Sequence, residues 1–262
     1  MTAHRDFQRD FYDAHFHRRE SAVREQQVHP LFCSFNDRAA ALVLDVVGET
    51  APDGRLRVFE PGCGEGLLGA ALQRVAVARG RTLAYTGADL SRSALDVART
   101  SVTADFLAGD AAETAAALPP ASQDLVVAKN LLHHLDDPAG FLRASARALA
   151  PGGRVVAFEP RLGCPQFLLF NVLAARRERH YFRGQGRNAE AFAAAGYRVV
   201  ERRRFSLLPY ELAFVIRPGL FRRMFRTGDP RALGAVGRVD DGLTRAVPWL
   251  ACYEVWIAEP PA

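Results

Sequence analysis

The sequence predicts an α/β protein with a Rossmann-like, doubly wound, mostly parallel sheet. Three observations carry that expectation. Strand-length apolar runs alternate with helix-length segments from about residue 55 to residue 204, and this alternation builds a parallel sheet with helices on both faces. The first strand, Leu56 to Glu60, runs straight into a turn holding Gly62, Gly64 and Gly66. Asp124 to Ala128 (DLVVA) is a continuous apolar run, the pattern of a strand buried on both faces.

The elements follow in order. Phe7, Phe11 and His15 share one stripe of a helix, and residues 36–48 read as a second helix, with Asn36 as its N-cap and Gly48 as its stop. Residues 1–50 thus form an N-terminal helical lid. The core, residues 51–204, begins with the strand 56–60 and continues with a helix over 66–79. A strand over 82–88 and a helix capped by Ser91 and ending near Arg99 come next. A short strand over 104–107 and the strand 124–128 precede a helix from Pro138 to Leu149, capped by Asp136 or Asp137; proline suits the first helical turn. Arg154 to Glu159 is the next strand. Asn188 caps a short helix that stops at Gly196, and Tyr197 to Arg204 is a strand. Residues 205–248 read as an irregular, apolar, Arg-rich insertion, and 249–262 carry a last strand from Ala251 to Ala258.

Composition narrows the function classes. The 262 residues are 49% hydrophobic and 24% charged, an ordinary globular balance. The net charge of +5 rests on arginine, because Lys129 is the sole lysine. No basic–aromatic platform accompanies the charge, which argues against a nucleic-acid partner. Cys33, Cys63, Cys164 and Cys252 show no metal-binding spacing, and no metal is expected. No apolar run approaches the roughly 18 residues of a membrane span, and the N-terminus lacks a signal-peptide core. The expectation is a cytoplasmic protein without stable membrane insertion. Peripheral membrane contact through the basic amphipathic stretch around Arg222 and Arg226, and a homodimer, stay open.

In such a sheet, ligands bind at the carboxyl ends of the strands, where the strand order reverses. Glycines 62, 64 and 66 let the backbone approach a ligand closely. Glu60 ends the first strand, where a carboxylate can meet a cationic group. Asp89, with Leu90 after it, ends the second strand and can accept both hydroxyls of a ribose in charge-assisted bonds. Asp110 and Ala111 follow the third strand and can meet the amine and ring of an adenine; Asp110 can equally cap the next helix. Lys129 to Leu135, with Asn130, His133 and His134, follows the fourth strand.

Together, Glu60-Pro-Gly-Cys-Gly-Glu-Gly66, Asp89, Gly109-Asp110, residues 124–138 (DLVVAKNLLHHLDDP) and 148–160 (ALAPGGRVVAFEP) resemble the successive motifs of class I S-adenosylmethionine-dependent methyltransferases, in the small-molecule version that includes quinone-biosynthesis enzymes. The resemblance covers about residues 55–204 and the final strand. It implies a seven-stranded sheet whose last strand is antiparallel. It also implies S-adenosylmethionine as cofactor, bound by Glu60, Gly62, Cys63, Gly64, Gly66, Asp89, Leu90, Asp110, Ala111 and Asn130. The function implied is methyl transfer to a small, apolar or aromatic metabolite.

Two alternatives remain beside it: an enzyme of the same fold that binds the cofactor without transferring its methyl, such as a cyclase, and an NAD-binding oxidoreductase. The second rests on Gly64-Glu-Gly66-Leu-Leu-Gly69, which also spells GxGxxG. Register speaks against it, because Glu60 to Cys63 intervene between the strand and that first glycine. A glutamate at the strand end would also repel a pyrophosphate.

Methyl transfer is chiefly a matter of alignment. Where the acceptor must lose a proton, His133 and His134 are the base candidates, because histidine titrates near neutrality, and Glu159 after the fifth strand is a third catalytic candidate. The same histidines can equally serve as packing residues. The acceptor pocket is expected from residues 1–35, 160–187 and 205–248, with Tyr12, Phe16, His29, Arg161, Tyr210 and Phe214 as its candidates.

Overall fold

The computed structural model describes residues 9–10, 13, 30–47, 54–161, 164–165, 187–207 and 230–261. Within them, seven strands form one sheet: β1 (Arg55–Pro61), β2 (Thr82–Asp89), β3 (Asp105–Ala108), β4 (Gln123–Lys129), β5 (Leu149–Pro160), β6 (Arg198–Phe205) and β7 (Tyr253–Glu259). The order across the sheet is β3-β2-β1-β4-β5-β7-β6. The β1–β2, β1–β4, β2–β3 and β4–β5 pairs are parallel, whereas β7 runs antiparallel to both β5 and β6. The expected seven strands and antiparallel last strand are both present.

Helices α1 (Pro30–Val46), α2 (Leu67–Ala78), α3 (Arg92–Arg99), α4 (Ala111–Ala117), α5 (Pro138–Ala148), α6 (Asn188–Ala194) and α7 (Pro230–Ala246) surround the sheet. Strand parity sorts the core into two layers, since successive side chains point to opposite faces. On one face Val58, Tyr85, Leu125 and Val127 pack against Phe35, Val43, Leu44, Leu68 and Leu72 of α1 and α2. On the other, Phe59, Val126, Ala128 and Trp256 pack against Phe141, Leu142 and Phe192 of α5 and α6. Each fully buried large side chain contributes about 1.5–3 kcal/mol. Alternate residues of DLVVA thus serve both layers, which is why the run carries no polar alternation.

The strand order reverses between β1 and β4, and there the chain turns away on both sides. The carboxyl ends of β1, β2 and β4 therefore frame a crevice, the place where such sheets take ligands.

Three local expectations differ from the structure. Helix α1 begins at Pro30, so Asn36 lies inside it; the side chain is buried and accepts from Lys129 Nζ at 2.8 Å instead of capping. Asn188 is the first residue of α6, and Arg187 holds the cap position without capping the helix through its side chain. Residues 230–246, read as irregular, form α7. Gly234, Gly237 and Gly242 weaken its helical pattern, and tertiary contacts supply what propensity lacks. Asp240, fully buried on α7, pairs with Arg38 of α1 and accepts from Ser206 Oγ at 2.8 Å and Leu207 N at 2.9 Å.

Candidate active site

The turn after β1 is held by backbone and carboxylate together. Cys63 N donates to Ala88 O at 2.9 Å, which extends the β1–β2 ladder by one bond. Gly64 N then donates to Asp89 Oδ2 at 2.8 Å, and Ser91 N to Asp89 Oδ1 at 2.9 Å. Asp89 thereby ties the Gly-rich turn to the start of α3. Ser91 caps that helix by accepting from Ala94 N, so Asp89 is not its cap. An ionised carboxylate offers about four acceptor sites, so Asp89 can still accept from a ligand hydroxyl.

Gly62 and Gly66 show why glycine is needed here. Gly62 has φ +68° and Gly66 φ +77°, in the left-handed region. A Cβ on Gly62 would stand 2.9 Å from Leu131 Cδ1, and one on Gly66 2.9 Å from Val102 Cγ2.

Glu60 is 1% exposed. It accepts one side-chain hydrogen bond, from Tyr85 Oη at 2.6 Å. Burial pushes its carboxyl up to about 7, against the opposing pull of the Lys129 ammonium and the Tyr85 hydroxyl, while Asp89 adds to the rise. Tyr85 fits there only because residue 69 is glycine, where a Cβ would lie 2.6 Å from the tyrosine ring. Burial likewise raises the carboxyls of Glu65 and Asp89, and it raises the Cys63 thiol, with Glu60 and Asp89 adding to the effect. Cys63 is therefore a thiol that fills space beside Gly87. The turn gathers three carboxylates whose ionisation burial opposes, with Lys129 as the cation that acts on two of them. Such a set of acceptors suits a ligand bearing positive charge, and in this respect the residues fit the ammonium of S-adenosylmethionine.

Asp110 is the N-cap of α4, its Oδ1 accepting from Ala112 N at 2.9 Å and Glu113 N at 3.4 Å. Ala111 is the buried first residue of that helix, and Leu90 is a half-buried residue of the β2–α3 turn. Asn130 takes a left-handed φ of +53° just after β4 and donates its N–H to Phe158 O at 2.9 Å. Asparagine tolerates that conformation better than most residues.

The segment after β4 closes into a 3-10 turn over Leu132–His134. Glu159, 1% exposed at the end of β5, holds this turn in place. Its Oε1 accepts from Leu131 N at 3.1 Å and Leu132 N at 2.8 Å, and its Oε2 from His133 N at 3.3 Å. The same Oε2 lies 2.7 Å from His133 Nδ1. Where Oε2 accepts in this pair, Nδ1 is the donor and Nε2 is left as the acceptor nitrogen of a neutral ring. His133 is buried, and His134 packs on it with ring centroids 4.1 Å apart.

Arg161 anchors the approach to β7: its Nη1 donates to Ala251 O at 2.8 Å and Trp249 O at 3.2 Å. Tyr12, Phe16, His29, Tyr210 and Phe214 lie outside the described residues. Among the described residues no group of three or more His, Cys, Asp or Glu could hold a metal ion, and no helix is long and apolar enough to cross a membrane. Two site residues, Tyr85 and Glu65, escape the sequence patterns. Glu65 lies inside the quoted motif, whereas nothing local distinguishes Tyr85 from a core aromatic.

A seven-stranded sheet in this order, with a Gly-rich turn after β1 and acidic residues ending β1 and β2, defines the class I methyltransferase fold. Comparison with known proteins agrees: residues 59–157 match the methyltransferase domain family. Over 118 residues the chain is 39% identical to a ubiquinone biosynthesis O-methyltransferase of Ralstonia nicotianae, covering 44% of this chain and 47% of that protein. The chain thus spans about half the length of the curated relatives it matches. Among solved structures, a putative methyltransferase of Haloferax volcanii in complex with the Trm112 methyltransferase activator aligns with a TM-score of 0.60 at 20% identity, covering 97% of each chain. Phosphoethanolamine N-methyltransferase 2 of Haemonchus contortus, in complex with S-adenosyl-L-methionine, aligns with a TM-score of 0.53 at 19% identity, covering 86% of this chain and 53% of that one.

Proposed function

We propose that the chain binds S-adenosylmethionine in the β1–β4 crevice and transfers its methyl group to a small aromatic acceptor of the quinol or phenol type. The observation that carries this reading is Glu60, a buried carboxylate with one hydrogen-bond partner among the described residues, at the strand-order reversal. The bound cofactor would supply a methyl on positively charged sulfur, already activated for displacement.

The protein's own contribution is grip and alignment. Glu60 meets the ammonium, and Asp89 accepts from the ribose hydroxyls with the lone pairs its backbone bonds leave over. Gly62, Cys63, Gly64 and Gly66 admit the ligand close to the backbone. Leu90, Asp110, Ala111 and Asn130 border the nucleoside and sulfur ends. His133 serves as the base that takes the acceptor's proton on Nε2, with His134 beside it, and Glu159 fixes its tautomer and orientation. A positioned base is worth about 10²–10⁴-fold. The phenolic acceptor class draws support from the O-methyltransferase relatives. The segments outside the described residues, with Tyr12, Phe16, His29, Tyr210 and Phe214, would supply the acceptor pocket, backed by Arg161. The four cysteines are all thiols, which fits a reducing, cytoplasmic setting.

The test pairs calorimetry with S-adenosylhomocysteine and a radiolabelled-methyl assay against catechols and hydroquinones. Binding in the micromolar range and label in the organic phase are expected. Failure to bind S-adenosylhomocysteine overturns the cofactor assignment. Tight binding with no label transferred to any acceptor overturns methyl transfer and leaves a cofactor-dependent enzyme of another kind.

A further inference from the structure

Lys129, the chain's sole lysine, stands at the last position of β4. Side chains of one strand alternate between faces, and Leu125 and Val127 of β4 pack with Val58 of β1 and Tyr85 of β2 on the α1–α2 side. Parity therefore puts Lys129 and Glu60 on that same face, with Lys129 one step nearer the crevice than Val127. Two further observations place the ammonium. Its Nζ donates to Asn36 Oδ1 of α1 at 2.8 Å. Its charge is felt by both Glu60 and Glu65, from opposite ends of the Gly-rich turn. Asn36 is 2% exposed, a polar side chain buried within a helix whose neighbours Phe35, Ala39 and Ala40 are core. Burying it costs free energy unless it is bonded, and the bond it makes orients the lysine.

An amino-acid tail carries two opposite charges on one carbon, so a carboxylate alone recognises only half of it. We propose that Lys129, oriented by Asn36, is the seat for the α-carboxylate of the cofactor's amino-acid tail, so that Glu60 and Lys129 together read the zwitterion. The proposal rests on the S-adenosylmethionine reading of the crevice and extends it to Lys129, which lies inside the 124–138 stretch but is not among the expected cofactor-binding residues. It also explains why the site keeps a cation among three carboxylates.

Calorimetry on the full chain separates the alternatives with three adenosyl thioethers: S-adenosylhomocysteine, its decarboxylated analogue (ammonium kept, carboxylate gone) and methylthioadenosine, which has no charged tail. Lys129→Met should weaken S-adenosylhomocysteine by about 10–100-fold, the range for a charge-assisted hydrogen bond. The other two ligands should change by less than about threefold. Lys129→Arg should recover part of the loss, since it restores the charge with a different shape. Equal losses for all three ligands would reduce Lys129 to a support for α1. Losses shared by the two ammonium ligands alone would mean that it acts only through the ionisation of Glu60. No loss at all would remove it from the site. Each of these three results overturns the proposal while leaving the cofactor assignment intact. Wild-type protein that fails to bind S-adenosylhomocysteine would instead sink the cofactor assignment, and the proposal with it.

Discussion

Glu60 and Glu159 end parallel strands on either side of β4, and both are 1% exposed. Their surroundings are opposite. Glu159 accepts from three backbone amides and sits against His133 Nδ1. Among the described residues Glu60 accepts from Tyr85 alone, and burial holds its carboxyl near 7. A buried carboxylate surrounded by donors belongs to the architecture. One with a single donor carries an unfavourable charge that a cationic ligand can relieve. The same residue type at the same kind of position thus does structural service at one strand end and, in the function proposed above, recognition at the other.

The largest expected effect comes from breaking the satisfied member. Glu159→Ala orphans three amides and the His133 N–H, and should cost about 3–5 kcal/mol of stability in urea unfolding. A loss below about 1 kcal/mol would show that water replaces the carboxylate, and the contrast with Glu60 would disappear.

Next is Glu60→Gln, which should weaken S-adenosylhomocysteine by about 1.5–3 kcal/mol, yet leave the ligand-free protein as stable as before or more so. Its pH dependence sharpens the point. The Glu60 carboxyl is raised from an ordinary 4.5 to about 7 in the folded state. Between those values the folded protein holds a proton that the unfolded chain has released. The Glu60 contribution therefore falls as pH rises through that window, by up to about 1.4 kcal/mol per unit, and is constant above it. Glu65 and Asp89, also raised, act in the same sense. Subtracting the Glu60→Gln stability curve from that of the wild type isolates the Glu60 part. A flat difference between pH 4.5 and 7 would contradict the assignment.

Gly69→Ala attacks Glu60's one donor indirectly, because the new methyl would collide with the Tyr85 ring. A cost of about 1–3 kcal/mol is expected, with weaker ligand binding by calorimetry. Unchanged binding would mean that Tyr85 supports the sheet without orienting Glu60. The smallest effect falls outside the comparison: Asp110→Ala removes the α4 cap and should cost about 1 kcal/mol in thermal unfolding. If ligand affinity drops as well, Asp110 has a ligand role beyond its cap.

Much of this architecture is legible in the amino-acid sequence alone. The Gly62–Gly66 turn, Asp89 at the end of β2, the Ser91 cap and the split of DLVVA across two core layers all follow from short-range patterns. A turn that needs left-handed φ, a cap or a strand buried on both faces is written in neighbouring residues. Helix α7 is not legible there, because three glycines mask its period and its stability comes from Asp240 meeting Arg38 about 200 residues away. Asn36 reads as a cap for the same reason: its partner, Lys129, is far along the chain.

The sequence by itself determined the fold class, the crevice and the chemical identity of the groups around it, because periodicity and turn chemistry act over a few residues. Only the tertiary structure decided how those groups divide their labour. It filled the lone pairs of Glu159 with amides, gave Glu60 one hydroxyl donor among the described residues and brought Lys129 to α1. Hydrogen-bond satisfaction is a property of three-dimensional neighbours, and strand order, not sequence distance, chooses them.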